Sequence, residues 1–282
     1  MNRPHSPALD SILGDQFPVL DHGFIRVIDY MGDDAAIENA ARVSYAAGTR
    51  RVSETRDLLR YLMRHQHTSP FEMCSIVFDV KLPIFVERQW MRHRTAKYVN
   101  MNEESARYSD VRPEFYIPRA EDLAMQSAAN KQGRGEPLST EDAAAVRRIL
   151  YADTQRCHDD YTTMMVKHHL SREIARINLP IGTYTTKRWK IDLHNLFHFL
   201  SLRADQHAQW EIRQYAQTMH DIVRQWVPIA TEAFEDYRMN AVSLSAQAVV
   251  VMKRRLKGEV VTQEGSGMGR REWMEFVGEF GG

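Results

Sequence analysis

Between Arg88 and Tyr108 the chain reads Arg-Gln-Trp-Met-Arg-His-Arg and, after ten intervening residues, Ser-Ala-Arg-Tyr. Arg88, Arg92, Arg94, Lys97 and Arg107 fall within 20 positions of a chain whose 37 basic and 37 acidic residues cancel. Positive charge gathered this way points to a small anion, with phosphate the first candidate, because guanidinium groups grip it through paired hydrogen bonds. Gln89, Arg92 and His93 would lie on adjacent faces of one helix at spacings of three and four. With Arg94 they would aim two guanidiniums and an imidazole at a diphosphate or a polarised ring. The bland alternative is a solvated basic helix end, but Phe85, Val86, Trp90 and Met91 surround these charges with bulk that favours burial. Asn102, Glu103, Ser105 and Arg107 offer an amide, an acid, a hydroxyl and a guanidinium. If the segment is extended, its alternate side chains point the same way.

Four further groups stand out. Arg176 and Arg203 each sit in an apolar segment, where an unpaired charge is very costly. Structural pairing, for example of Arg203 with Asp205 or Glu211, competes with a role at a ligand. His194 and His198 are four apart on an expected helix, with Asp192 before and His207 after. That spacing can hold zinc, although Asn195 stands where a metalloprotease helix has its Glu. His67-Thr68-Ser69-Pro70-Phe71-Glu72 is a polar turn whose hydroxyls either reach a phosphate or cap the turn. Neither Cys74 nor Cys157 has a histidine base beside it in sequence, so nothing supports a cysteine nucleophile.

Composition narrows the class. The 282 residues allow one large domain or two small ones, and 43% hydrophobic with 26% charged residues is ordinary for a globular protein. No apolar run approaches membrane-spanning length, and Met1-Asn2-Arg3-Pro4-His5 lacks the apolar core of a secretory signal. Two cysteines outside any Cys-x-x-Cys arrangement point to a reducing cytoplasm. The balanced charge argues against bulk nucleic-acid binding.

The elements that must position these groups follow from periodicity. Phe24–Tyr30, 74–82 and 183–191 read as strands. Helices are expected at about 34–44, at 53–65 with Ser53 as cap, from Pro83 through His93, at 140–168, 171–177, 192–204 and 206–236. Residues 95–118 read as irregular and 120–140 as a polar surface excursion. The pattern lacks regular βαβ spacing and favours α+β, with a mixed or antiparallel sheet flanked by helices. The expected organisation is a flexible leader over 1–20, one catalytic domain over 21–245 and a C-terminal extension over 246–282. The Gly-rich part beyond Gly265 reads as mobile, with Trp273, Met274 and Phe276 as candidate docking groups.

In this order the motifs resemble the flavin-dependent thymidylate synthases from about Phe24 to Leu244. The markers are His-Thr-Ser-Pro-Phe-Glu (67–72), Leu-Pro-Ile-Phe-Val-Glu-Arg-Gln-Trp (82–90), Arg-His-Arg (92–94), Asn-Glu-Glu-Ser-Ala-Arg-Tyr (102–108), Glu-Ile-Ala-Arg-Ile-Asn-Leu-Pro (173–180) and Leu-Arg-Ala-Asp-Gln-His-Ala-Gln-Trp-Glu-Ile (202–212). The resemblance implies a homotetramer with active sites shared between subunits, each holding FAD, a uracil nucleotide and a folate. NADPH would reduce the flavin, and a one-carbon unit would pass from methylenetetrahydrofolate to C5 of dUMP without a cysteine nucleophile. It implies that Ser69, Arg92, His93, Arg94 and Glu103 contact FAD, with Asp192, His194 and His198 as a second flavin segment. Gln89, Arg92, Glu103, Glu104, Ser105, Ala106, Arg107 and Arg176 would hold the nucleotide. Arg203 would lie against the uracil edge as the catalytic group, favouring the ring's ionised N3 form.

Three departures from the family pattern stand out. Residues Lys97-Tyr98-Val99 lengthen the loop after Arg-His-Arg, Gly182 replaces an expected Asn, and Lys187 and Arg188 stand where aromatics are common. They raise a second reading, a paralogue acting on UMP or transferring a hydroxymethyl group. A zinc hydrolase built on His194, His198 and His207 is the remote alternative, and an RNA- or nucleotide-binding protein without catalysis is another.

Overall fold

A computed structural model describes residues 4–43, 54–95, 100–128 and 133–281. It separates into two compact units, Met1–Met239 and Asn240–Gly282, so the boundary falls at 239/240 rather than at the expected 245/246.

The first unit is built on five antiparallel strands. In chain order these are β1 (Gln16–Val19), β2 (Gly23–Met31), β3 (Ser75–Pro83), β4 (Asn100–Glu103) and, after a separate ribbon of β5 (Ala124–Gln126) and β6 (Arg134–Pro137), β7 (Tyr184–Asp192). Their order in the sheet is β1-β2-β3-β7-β4, and every pairing is antiparallel. The α+β expectation holds, with an antiparallel rather than a mixed sheet. Period-two alternation buries Ile76, Phe78, Val80 and Leu82 of β3. In β2 a bulge between Val27 and Asp29 shifts the phase, so Ile25 and Val27 are followed by Tyr30 on the buried side. Gly23 opens β2 because nothing larger fits: a Cβ there would lie 2.1 Å from Oη of Tyr215 and 2.6 Å from the Val19 carbonyl.

The helices of this unit are α1 (Pro7–Asp10), α2 (Asp34–Arg42), α3 (Thr55–Arg64), α4 (Ser69–Glu72), α5 (Ile84–Trp90), α6 (Thr140–Val166), α7 (Arg172–Ala175), α8 (Leu193–Arg203), α9 (Trp210–Trp226) and α10 (Pro228–Phe234). The core joins the sheet to α9, which buries Ile212, Tyr215, Met219, Val223 and Trp226 along one stripe. The single helix expected over 206–236 is two helices. Pro228 lacks the N–H that would continue the ladder, and Val227 leaves helical geometry just before it.

Three other expectations are corrected. The leader over 1–20 contains α1 and β1. Ser6 caps α1 and donates to the Gln225 carbonyl at 3.0 Å, and Leu9 is fully buried. Residues 95–118 are not wholly irregular, because β4 pairs with β7. Glu54 occupies the N-cap of α3 and its side chain makes no capping bond. Ser53 lies outside the described residues, as does the insertion Lys97-Tyr98-Val99.

The second unit is helical, with α11 (Ala246–Arg255), α12 (Gln263–Ser266) and α13 (Arg270–Phe280). Ala248, Val251, Val261, Met268 and Phe276 form its core, and Trp273 packs against them. The mobile tail expected beyond Gly265 is therefore ordered helix, although Met274 stays 63% exposed.

Candidate functional site

Pro83 precedes α5 and Met91 closes it, so the helix ends at Trp90 and Arg92 and His93 follow in a turn. The expectation of one helix through His93 is corrected. The two amides still fold back, Arg92 N to the Gln89 carbonyl at 3.2 Å and His93 N to that of Trp90 at 3.0 Å. On the far side of the sequence, Asp192 caps α8 by accepting from Asn195 N at 2.9 Å and Asn195 Nδ2 at 2.8 Å. That fixes the start of a helix whose last turn carries Arg203 at the end that favours a cation.

These two segments meet. Arg203 Nε donates to His93 Nε2 at 2.7 Å. His93 stands edge-on to Phe199 with ring centroids 4.9 Å apart. Burial first, then the charges of Arg203, His198 and Lys187, push the His93 imidazole down to about 4. At neutral pH it is uncharged and can accept, so its proton sits on Nδ1. Arg203 is thus held by a neutral partner, and no acidic side chain among the described residues compensates its charge. The structural ion pair weighed for Arg203 does not form. Asp205 accepts from His207 N at 2.7 Å and pairs with His207 Nδ1, while Glu211 is engaged elsewhere.

Beside α8 lies a cavity of 330 Å³ between α3, α4, α8 and α10. Leu62, Phe71, Phe197 and Phe234 give it apolar walls, and Thr68, His194, His198 and Arg238 give it polar groups. Of the residues expected at a flavin, His194 and His198 line this cavity. Ser69 is exposed at the first position of α4, and its neighbour Thr68 faces the cavity instead. Arg92 and Arg94 are exposed. Arg238 is a contribution that sequence reading missed, and of the turn's two hydroxyls it is that of Thr68 that lines the cavity. Gln66 also lines the cavity and holds a left-handed backbone (φ 59°), the turn that delivers Thr68. Among the described residues no group of three or more His, Cys, Asp or Glu is placed to hold a metal. The zinc reading therefore has no geometry: Asp192 is spent as a cap, and His207 is exposed and paired with Asp205.

A second cavity, of 190 Å³, gathers Glu103, Glu104, Ala106 and Arg176 against Thr185 and Thr186 of β7. Glu103 accepts from Thr185 Oγ1 at 2.8 Å, and Glu104 N donates to the Thr186 carbonyl at 2.8 Å. Arg176 opens a 3₁₀ turn, Arg176–Asn178, and its side chain makes no hydrogen bond or ion pair among the described residues. The expected extended run through Arg107 stops at Glu103. Tyr108 N closes a turn onto the Ser105 carbonyl at 2.9 Å, and Arg107 lies over the Tyr108 ring at 5.7 Å. Ser105 and Arg107 therefore do not alternate with Glu103 on one face.

Next to Thr186 in β7 stands Lys187, which lines neither cavity. Period-two alternation in β7 puts it on the core side with Trp189 and Ile191. It is fully buried, hydrogen-bonded to Glu87 of α5, with its ammonium 3.9 Å over the Trp90 ring. Burial pushes Lys187 down to about 8 and pushes Glu87 up; the contact between them opposes both shifts. Arg188 points the other way and grips Asp79 through two bonds of 2.7 and 2.9 Å. Both departures from the family pattern are thus internally paired, and neither is a spare cation. A Cβ at Gly182 would meet only ordinary contacts, 3.7 Å from the Tyr116 carbonyl, so the position does not require a glycine for want of room for a Cβ.

The family model described as thymidylate synthase complementing protein matches residues 26–229. The chain is similar to the flavin-dependent thymidylate synthase of Ruegeria pomeroyi, at 60% identity over 96% of this chain and 90% of that one. The corresponding figures for the flavin-dependent thymidylate synthase of Gluconobacter oxydans are 54%, 98% and 91%. Among solved structures it is similar to the UMP/dUMP methylase PolB from Streptomyces cacaoi bound with 5-Br UMP, with a TM-score of 0.70 and 35% identity over 79% of this chain and 98% of that one.

Proposed function

Because the chain belongs to the flavin-dependent thymidylate synthase family, we propose that it converts dUMP to dTMP with FAD as its flavin. Methylenetetrahydrofolate gives the one-carbon unit to C5 of the uracil ring, and NADPH is the reductant. The residues fit a flavin: the 330 Å³ cavity combines apolar walls with His194, His198 and Thr68, the character suited to a flat ring with a polar edge. His194 and His198 would hold the flavin there, with Ser69, Arg92, His93, Arg94 and Glu103 completing its surroundings and Asp192 fixing the helix that carries the two histidines. When bound, reduced flavin supplies the hydride that completes the methyl group.

The observation that carries the reading is the uncompensated Arg203. A guanidinium held by a neutral imidazole keeps its full field. Set against the uracil edge, it favours the N3-ionised ring and raises electron density at C5, where the new bond forms. Gln89 and Arg92 belong to the same stretch as His93, the residue that holds Arg203. Glu103, Glu104, Ser105, Ala106, Arg107 and Arg176 form the other nucleotide-holding group, and Arg176 has a charge free for the phosphate.

These two groups line separate regions of one chain, which favours sites completed between subunits of a homotetramer. The long α6 supports assembly. It buries only Ala143, Thr154 and Tyr161 of its 27 residues and leaves Ile149 at 61% and Tyr151 at 60% exposure. Sedimentation of the purified protein should give four times the chain mass. No helix among the described residues is long and apolar enough to cross a membrane, and both cysteines are free. Free thiols accord with work in the reducing cytoplasm.

The UMP or hydroxymethyl reading drew on the lengthened loop, Gly182, Lys187 and Arg188, and the internal pairing of the two cations removes their part of that support. The test is to incubate the protein with dUMP or UMP, methylenetetrahydrofolate and NADPH, and weigh the nucleotide. A methyl group gained by dUMP is the expected result. A product from UMP alone, or a hydroxymethylated one, overturns the reading.

A further inference from the structure

Gln89, at the end of α5, does not choose its own orientation. Its Nε2 donates to Oε1 of Gln209. Gln209 Nε2 in turn donates to Oε2 of Glu211 at 2.8 Å. Glu211 is 2% exposed, and its other oxygen accepts from Tyr116 Oη at 3.1 Å and from Arg134. An ionised carboxylate can only accept. It therefore forces the amide nitrogen of Gln209 inward and the Gln209 carbonyl outward, toward Gln89. That carbonyl then draws one N–H of Gln89. What Gln89 offers to a ligand is its own carbonyl oxygen and the remaining N–H, in a fixed sense.

We infer that Glu211 and Gln209 are positioning residues that set the polarity of the Gln89 amide toward the nucleotide. The inference rests on the proposed role of Gln89 in holding that nucleotide. The relay explains why a carboxylate is buried at the start of α9, far in sequence from the residue it controls. It also gives Tyr116 and Arg134 a purpose: they saturate the outer oxygen of Glu211, so that only Oε2 is left to face Gln209.

The test is a double-mutant cycle on the flavin-loaded enzyme, read by calorimetric titration of dUMP and by steady-state kinetics. Gln209 is exposed, so Gln209→Ala should leave fold and flavin content intact. It is expected to raise the dUMP dissociation constant and KM by about fivefold to tenfold, the worth of one oriented hydrogen bond, with kcat within about twofold. In a Gln89→Ala background the same change should add nothing. Glu211→Gln places a donor where the carboxylate stood and reverses both amides, so it should weaken dUMP at least as much as Gln209→Ala does. Additive effects of Gln89→Ala and Gln209→Ala would overturn the relay, as would a Gln209→Ala enzyme with normal affinity beside a weakened Gln89→Ala enzyme. Normal dUMP affinity in Gln89→Ala would instead remove the nucleotide role of Gln89, and the relay with it.

Discussion

Arg203 and Arg176 are the two arginines that sit in apolar sequence, and the fold treats them in opposite ways. Arg203 is fixed before any ligand arrives, held at 2.7 Å by a histidine that burial keeps neutral. Arg176 stands at the lip of a cavity with no partner among the described residues. A group that must act on developing charge gains from being pre-positioned, since no reorganisation is then needed at the moment of reaction. A group that grips a mobile phosphate can wait for it, because the bidentate contact supplies its own geometry. The largest effect should follow from breaking the fixed one. Arg203→Ala is expected to lower kcat by about a hundredfold to a thousandfold while the flavin absorption band survives. Activity near normal would strip Arg203 of the ring-activating role. Arg176→Ala should act mainly on KM for dUMP.

The contrast sharpens if the two arginines serve one site from different subunits. Each single variant should be nearly inactive at low dUMP. Co-refolding Arg176→Ala with Arg203→Ala should restore about a quarter of wild-type activity, because random mixing reunites two intact halves in that share of sites. No recovery from well-assembled mixed oligomers would mean that both arginines of a site come from one chain.

The buried pair Lys187–Glu87 joins β7 to α5. Removing one charge leaves the other stranded, so Lys187→Met should destabilise the protein by about 3–5 kcal/mol in urea unfolding. Replacing both, as Glu87→Leu with Lys187→Met, should recover most of that loss, since apolar residues of similar volume replace buried ion pairs at little cost. If the double variant stays as unstable as the single, the pair is a structural need and not exchangeable for apolar packing.

Much of this arrangement was legible in the sequence. The alternation in β2, β3 and β7 and the stripe of α9 follow from apolar spacing. What sequence could not show was cross-chain partnership. Nothing near Arg203 announces His93, 110 positions away. Lys187 read as an extra cation bearing on the substrate, whereas strand parity turned it into the core. β4 was missed because Asn-Met-Asn-Glu is polar and wholly exposed, an edge strand held by its backbone. The tail misled through its glycines. Gly267 (φ 75°) is the left-handed C-cap of α12, a stop signal and not a loose linker.

The His93 side of the comparison carries a pH signature. Its ordinary value is 6.5 and in the fold it lies at about 4. Between those two values the unfolded chain binds a proton that the folded chain refuses, so stability falls as pH falls through that window. Below about 4 the imidazole protonates, loses its acceptor and repels Arg203. His93→Gln keeps an acceptor without a proton to gain. Its unfolding free energy should therefore decline less steeply from pH 6.5 to 4 than that of the wild type. Parallel slopes would assign the acid sensitivity to other groups, among them His220, which burial also holds low.

The smallest effect should come from Arg188, and that smallness is informative. Lys187 and Arg188 are neighbours on β7, so their side chains leave opposite faces of the sheet and cannot converge on one ligand. Arg188 is committed to Asp79, which also keeps Arg26 at 3.1 Å and is held below the usual carboxylate range by both. In Arg188→Ala, Asp79 still has Arg26 and the removed guanidinium is itself exposed, so the stability loss should stay within about 1 kcal/mol. The ratio of kcat/KM for dUMP over UMP should not move by more than about twofold, since Arg188 itself lines neither cavity and is paired with Asp79. A marked shift toward UMP would show that Arg188 leaves Asp79 for the nucleotide, and the division between a pre-set arginine and a waiting one would then need a third member.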